Sequence, residues 1–485
     1  MEEVVKPRSE PSFRDRFKWW FLLLIILSRF SAFFNLSSLT VLQVQFQTAI
    51  NMSEMDFSRI IQLQGVPGLL LSIFMGMLAD YYGAWVSIIS SHVLSVSGQF
   101  FICYGIWTSG YWSVLIGFVL EYSGMEFGMV GYNQLIRAWY RDNELSRANS
   151  LSAMTLTLSM MFCDLAYPSL FNSSGSLSFP FIVGLGVATF SAVSGVVMVL
   201  IHRKMISLKQ ITPTAQTEVK KKRFLLEYVK TLSKLYWLLV IAFPLGLMSN
   251  IASKVYESKF LQKRFNFEVT TAGYLLAVSR VLTMIFSSLS GFWMDKVGRL
   301  PFFMMGSVLC TIIGTIGNII TPSCDRCFLP VLPLVIMSFA SGVLGIATNS
   351  AMMRVVDPKM IGTTFAISGT TYSVAHIIIP WLNGLIAEAT YAEWGYQWVF
   401  AVNTLLGGVA MIFLIWLHVA DLIGQKKLQF VLGNRRASDI TAPIIEELPS
   451  EAPESSTSED GLSFVDLGQK NVSYDFSYMG EAKRN

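Results

Sequence analysis

The chain has 485 residues, of which 53% are hydrophobic and only 14% charged, and its mean hydropathy is +0.52. A soluble chain of this length carries about 25% charged residues, so the deficit excludes an ordinary set of water-soluble domains and points to lipid-facing surface. A net charge of +4, with the basic residues gathered in short stretches, argues against a nucleic-acid partner, and five cysteines are too few for a disulfide scaffold.

About 20 apolar residues are needed to cross ~30 Å of hydrocarbon. Scanned at that length, the sequence predicts an all-α membrane protein with twelve transmembrane helices, six on each side of a break. Residues 1–18 form a basic N-terminal segment, expected in the cytosol. The apolar run behind it has no small-residue cleavage site and is too long for a signal peptide, so it is the first span. The N-terminal half, residues 19–202, contains spans at 19–47, 60–78, 86–107, 112–139, 149–171 and 179–201. Ionisable residues are costly in hydrocarbon and usually face a cavity or a partner. In this half they are Arg29, Glu121, Glu126 and Asp164. Glu121 and Glu126 are five apart, roughly 140° around a helix, so at most one of them lines a cavity. Gly124 and Gly128 form a G-x-x-x-G step that lets another helix approach closely. Asp164 lies near the outer end of span five, as a wet rim residue or a solute contact.

Residues 203–235 form a basic central loop with the run Lys220, Lys221, Lys222, Arg223, a tether or a patch for acidic lipid head groups. The C-terminal half, residues 236–424, has spans at 236–256, 272–294, 301–320, 330–353, 363–387 and 398–423. Its buried ionisable residues are Arg280 and His376. His376 is a proton-coupling group or, with more weight, a satisfied histidine packed against a serine. Phe33, Phe34, Tyr132 and Tyr372 are aromatic candidates for a cavity wall. Cys324 and Cys327, in the predicted loop after span nine, are a short disulfide or two free thiols, since no further ligands for a metal lie near. Residues 425–485, rich in Pro, Ser, Thr and acidic side chains, are an acidic tail expected to be disordered in the cytosol.

Lysine and arginine favour cytoplasmic loops. Only Arg59, Lys259, Lys263, Arg264 and Arg326 fall on the opposite side, so both termini and the central loop are expected in the cytosol. The sequons at Asn51 and Asn172 then face outward, and the one at Asn471 faces the cytosol.

An internal repeat is the most specific signal. Gly76, Asp80 and Gly83 in GMLADYYG recur at identical spacing as Gly291, Asp295 and Gly298 in GFWMDKVGR, each at the end of the second span of a half. With Arg299 completing the second copy, the repeat resembles the pattern G-x-L-x-D-x-x-G-R-K of the major facilitator superfamily. The first copy departs from it, with Ala84 and Trp85 at the basic positions. Within the superfamily, GMEFGMVGYNQLIRAWYRDNELSRANSL, LQVQF and GTTFAISGT look most like the lysosomal dipeptide carrier branch.

The resemblance implies two six-helix halves, alternating access to a midplane cavity, no cofactor and no enzyme activity. It places a substrate-holding glutamate at Glu126. The span-five arginine of that branch falls on Thr157, so Arg29 and Arg280 are the candidates to supply the missing cation, with His376 and Tyr372 beside them in the substrate site. It also implies an endolysosomal membrane, with the plasma membrane as the alternative, and an accessory glycosylated membrane protein as partner. The expected function is secondary transport of a small organic solute, dipeptides or amino-acid-like solutes first, by uniport or proton coupling. The alternative is a non-transporting solute sensor or membrane scaffold. No G-x-x-x-x-G-K-[ST] loop supports ATP-driven pumping.

Overall fold

The structure, a computed structural model, describes residues 13–140, 142–208, 232–356, 361–424 and 428–429, with some helical side chains, among them 72–81 and Asp295, outside the description. The described residues fall in one compact unit, Met1–Arg435. The central lysine run and the acidic tail lie outside the described residues.

With no water in hydrocarbon to take up N–H and C=O groups, long apolar runs close their hydrogen bonds within the segment and become helices. In chain order these are α1 (Phe13–Leu36), α2 (Ser38–Val41), α3 (Gln43–Ile50), α4 (Glu54–Tyr82), α5 (Ala84–Thr108), α6 (Tyr111–Trp139), α7 (Asp142–Ser174) and α8 (Ser178–Ser207). The second half follows with α9 (Lys234–Val255), α10 (Glu257–Arg264), α11 (Val269–Val297), α12 (Leu300–Ile320), α13 (Val331–Val355), α14 (Ile361–Trp394) and α15 (Gln397–Ile423).

Twelve of these helices have 21 residues or more, which fits twelve crossings. Nine helices among the described residues are long and apolar enough by composition to cross a membrane. The other three long ones, α4, α7 and α14, run along the junction between the halves and carry Gln64, Asp164 and His376 there.

The first predicted span is not continuous. It comprises α1, α2 and α3, interrupted at Ser37 and Leu42. The break releases Ser37, whose hydroxyl donates to Asp164 Oδ1 at 3.3 Å.

Within the first half, α5 and α6 pack most intimately. A Cβ at Gly124 would stand 2.7 Å from the Ser91 carbonyl, so only glycine permits that approach, as the G-x-x-x-G step predicts. The halves meet along α4 with α14 and α7 with α11. The last glycine of each repeat copy turns the chain in backbone space that side chains resist, with φ +95° at Gly83 and +69° at Gly298. The side chains of Gly76, Asp80 and Asp295 lie outside the described residues, and Gly291 has open space around it. Arg299 is exposed at φ 45°, and its N–H and that of Leu300 donate to the carbonyls of Gln429 and Leu428.

At the end of the bundle that carries Asn51, one apolar cluster crosses from half to half, joining Phe46 and Phe57 to Phe260 and Phe400. Polar bonds reinforce it. Lys259 pairs with Glu54 and donates to Gln47 Oε1 at 2.6 Å. Tyr396 donates to Glu54 Oε2 at 2.9 Å and accepts from Gln43 at 3.1 Å. The halves are therefore closed against each other at this end. Cys324 and Cys327, at the same end, form a disulfide.

Candidate functional site

Between the halves lies a cavity of about 260 Å³. The first half contributes Phe33 and Ser37 from the broken first span, Gln64 from α4, Tyr122 and Met125 from α6, and Met160 from α7. The second contributes Lys254 from α9, Arg280 from α11, and Tyr372 and His376 from α14. A space lined by both halves changes shape when they move against each other, as a carrier site must.

The charges are arranged across this junction. Arg280 Nε lies 3.3 Å from Asp164 Oδ2, an ion pair from one half to the other. The Asp164 side chain is 1% exposed and that of Arg280 28%, so the cation faces the cavity and the anion stands behind it. Asp164 is thus a buried junction residue, not a wet rim residue, because the gap at Ser37 and the α11 arginine enclose it. Lys254 donates to Ser341 Oγ at 2.8 Å and feels the charges of Glu257, Arg280 and Asp164. Sequence reasoning passed over Lys254, which sits two residues from the predicted end of span seven. A lysine within that apolar run was the signal.

Glu126 lies beside Tyr122, one helical turn away, with which it hydrogen-bonds. A side chain at Gly68 would come within 3.7 Å of Glu126 Oε1 and 2.8 Å of the Ser373 hydroxyl, so this glycine lets α4 approach the carboxylate and α14 closely. Tyr372 also lies within electrostatic reach of Glu126. The structure therefore sets Tyr122, Tyr372 and His376 on one wall of the cavity, with Arg280 and Lys254 on the same lining and Glu126 behind Tyr122 and Tyr372.

His376 is stacked against Tyr372, with centroids 5.9 Å apart, and against Tyr122 at 5.7 Å. Its Nδ1 has no hydrogen-bond partner, so it is an aromatic sandwich filling rather than a serine-bonded histidine.

Arg29 is elsewhere. It lines a small separate space with His92 and Tyr132, donates to Ser152 at 2.7 Å, contacts Met129 Sδ and stands 5.7 Å over the Tyr132 ring. Thr157 is half-buried, one turn from Met160. Phe33 and Tyr372 line the cavity, Tyr132 lines the smaller space and Phe34 packs in the core. Glu121 is fully buried and, like Glu126, is not itself part of the cavity lining.

Residues 22–380 match the model of the Major Facilitator Superfamily. Among curated proteins, the chain is 22% identical over 333 residues to an uncharacterised MFS-type transporter of Caenorhabditis elegans, covering 66% of this chain and 53% of that one. The chain thus spans about half the length of that relative. It is 21% identical over 379 residues to the lysosomal dipeptide transporter MFSD1 of Bos taurus, covering 76% of this chain and 79% of that one. A crystal structure of the nucleoside transporter NupG superposes with a TM-score of 0.66 at 14% identity, over 82% of this chain and 99% of that one, and shows the shared fold. With the family match running across most of both halves and the cavity seated between them, the chain belongs to the Major Facilitator Superfamily and is a multi-pass membrane protein.

Proposed function

We propose that the protein carries small zwitterionic solutes, dipeptides or amino-acid-like molecules, by alternating access. The observation that carries this reading is the charge pattern of one cavity. Glu126 stands against Tyr122 and Tyr372, two side chains of the cavity wall, while Arg280 and Lys254 line the space directly. A carboxylate can hold a substrate ammonium, and a cation a substrate carboxylate, by charge-assisted hydrogen bonds. Arg280, with Lys254 beside it, takes the place that the resemblance gives to the residue at Thr157. Arg29, held in its smaller space by Ser152 and Tyr132, takes no part in this reading. Tyr372, His376 and Tyr122 form an aromatic wall for the side chain of the solute.

About 260 Å³ suits a solute of this size and no macromolecule. The kinship with the bovine dipeptide transporter supports the same class and an endolysosomal membrane. The turns at Gly83 and at Gly298 and Arg299 end the two repeat copies, with Gly76, Asp80, Gly291 and Asp295 on the helices that enter them, and serve as the joints about which the bundle adjusts when the halves rock. Uniport suffices for this reading, because the cavity charges pair with the two ends of the solute.

The test is the melting temperature of the purified protein with a dipeptide, its N-acetylated form and its C-terminal amide. Stabilisation by the free dipeptide, lost on blocking either end, is expected. Equal stabilisation by all three, or by none while sugars or organic anions stabilise, would overturn the zwitterion reading.

A further inference from the structure

Arg29 is a buried cation that meets no anion. It is 5% exposed, and among the described residues no carboxylate lies within ion-pair distance of it. Its partners are neutral: the Ser152 hydroxyl, Met129 Sδ and the face of the Tyr132 ring. A buried carboxyl or lysine can lose its charge by gaining or releasing a proton. A guanidinium cannot, because it stays protonated in proteins. Hydrogen bonds to neutral groups solvate that charge but leave it uncompensated, and buried charges are as a rule paired.

Beside the guanidinium lies a space of about 10 Å³, room for one water-sized particle. Its open partners are donors. Ser31, Ser91 and Ser95 line it together with Arg29, and Ser95 Oγ is buried without a hydrogen-bond partner. Ser28, His92 and Tyr132, on the same lining, are already bonded to one another, with Ser28 Oγ 2.8 Å from His92 Nε2 and 2.7 Å from the Tyr132 hydroxyl. Glu126, one turn before Met129 on α6, hydrogen-bonds Tyr122 and is not part of this lining. Gly128 keeps the space open, since a Cβ there would stand 2.8 Å from Ser91 Oγ and 3.0 Å from the Tyr132 ring.

A water would fill this space but bring no charge, and a carboxylate-bearing solute is too large for it. A monatomic anion balances the guanidinium and accepts from the serine hydroxyls, which rotate to suit their partner. We infer that Arg29, Ser31, Ser91 and Ser95 form a binding site for a small monovalent anion, chloride in the first instance, inside the N-terminal half.

Phe33 and Met125 line both this space and the solute cavity, so the two share a wall. An anion held by α1 and α5 against α6 would fix that wall from behind. Occupancy would therefore set the shape of the solute site without touching the solute.

The experiment is the melting temperature of the full-length protein in detergent, with sodium chloride exchanged stepwise for sodium gluconate at constant ionic strength and fixed pH. A ligand that binds only the folded state raises it with concentration. The expected result is a saturable rise with chloride, reproduced by bromide. Ser95→Ala, which removes one donor to a charged group, should displace the chloride midpoint about ten-fold or more. Arg29→Gln, and Gly128→Ala, whose methyl group fills the space, should abolish the rise, and Arg280→Met in the solute cavity should keep it. If Arg29→Gln does not fold, the wild type and Ser95→Ala decide. A melting temperature indifferent to chloride assigns water to the space and overturns the site. So does a chloride response unchanged in both Ser95→Ala and Gly128→Ala, or one lost in Arg280→Met and kept in Arg29→Gln, which would place the anion in the solute cavity.

Discussion

Among the described residues two ion pairs join the halves, and they are built differently. Lys259 and Glu54, at the Asn51 end, are both almost completely enclosed, with side-chain exposures of 8% and 9%. Gln47 and Tyr396 add hydrogen bonds to them, and the Tyr391 ring lies 4.2 Å from the ammonium. Arg280 and Asp164, at the cavity, share a longer contact of 3.3 Å, and the arginine keeps 28% of its side chain open. The first pair has no room for a third party. The second has an open face toward a space of about 260 Å³. One pair is suited to holding the halves closed, the other to exchanging its partner for a solute carboxylate.

Breaking the seal should show the largest effect. Lys259→Met leaves Glu54 buried without its cation, a situation that costs about 3–5 kcal/mol. We expect a clear fall in melting temperature, with solute affinity kept in the molecules that remain folded. A loss of affinity with no loss of stability would mean that the seal, too, belongs to the solute site.

At the cavity the outcome should invert. Arg280→Met is expected to lose solute affinity by roughly 1.5–3 kcal/mol, the value of a charged hydrogen bond. It should also lower stability, because Asp164, 1% exposed, is left buried without its cation, so the two variants separate on affinity. Adding Asp164→Asn should restore stability but not affinity. Restored affinity in the double variant would show that the pair merely fastens α7 to α11.

Glu126→Gln sharpens the comparison on the opposite wall. It should weaken binding about ten- to a hundred-fold and leave the melting temperature near that of the wild type. Glu121→Gln should act chiefly on stability. The reverse pattern would exchange the roles of the two glutamates.

The smallest effect is expected from deleting residues 437–485, whose composition lacks the apolar mass to pack on the bundle. Turnover per molecule in proteoliposomes should be unchanged. A collapse of turnover in folded protein would make the tail part of the gate.

What the sequence disclosed followed from local rules. Apolar run length gave the helices, identical spacing gave the repeat, and the five-residue step separated Glu121 from Glu126. The turn glycines Gly83 and Gly298 were legible because only glycine takes that backbone readily. What escaped depends on tertiary closure. Lys254 looked like the end of a span until α11 and α13 brought Arg280 and Ser341 to it. Arg29 and Arg280 looked alike as lone arginines within spans, yet one met serine, methionine and an aromatic ring and the other met Asp164. The break at Ser37, which lets Asp164 be buried, has no glycine or proline to announce it.

The central claim is that a zwitterionic solute passes through this cavity with its ammonium on Glu126. Counterflow tests it most directly, in proteoliposomes preloaded with unlabelled dipeptide and supplied with the labelled one outside. The account predicts accelerated entry of label through the wild type and loss of that acceleration in Glu126→Gln protein reconstituted to the same density. Binding without exchange in the wild type, or undiminished exchange in Glu126→Gln, would contradict it.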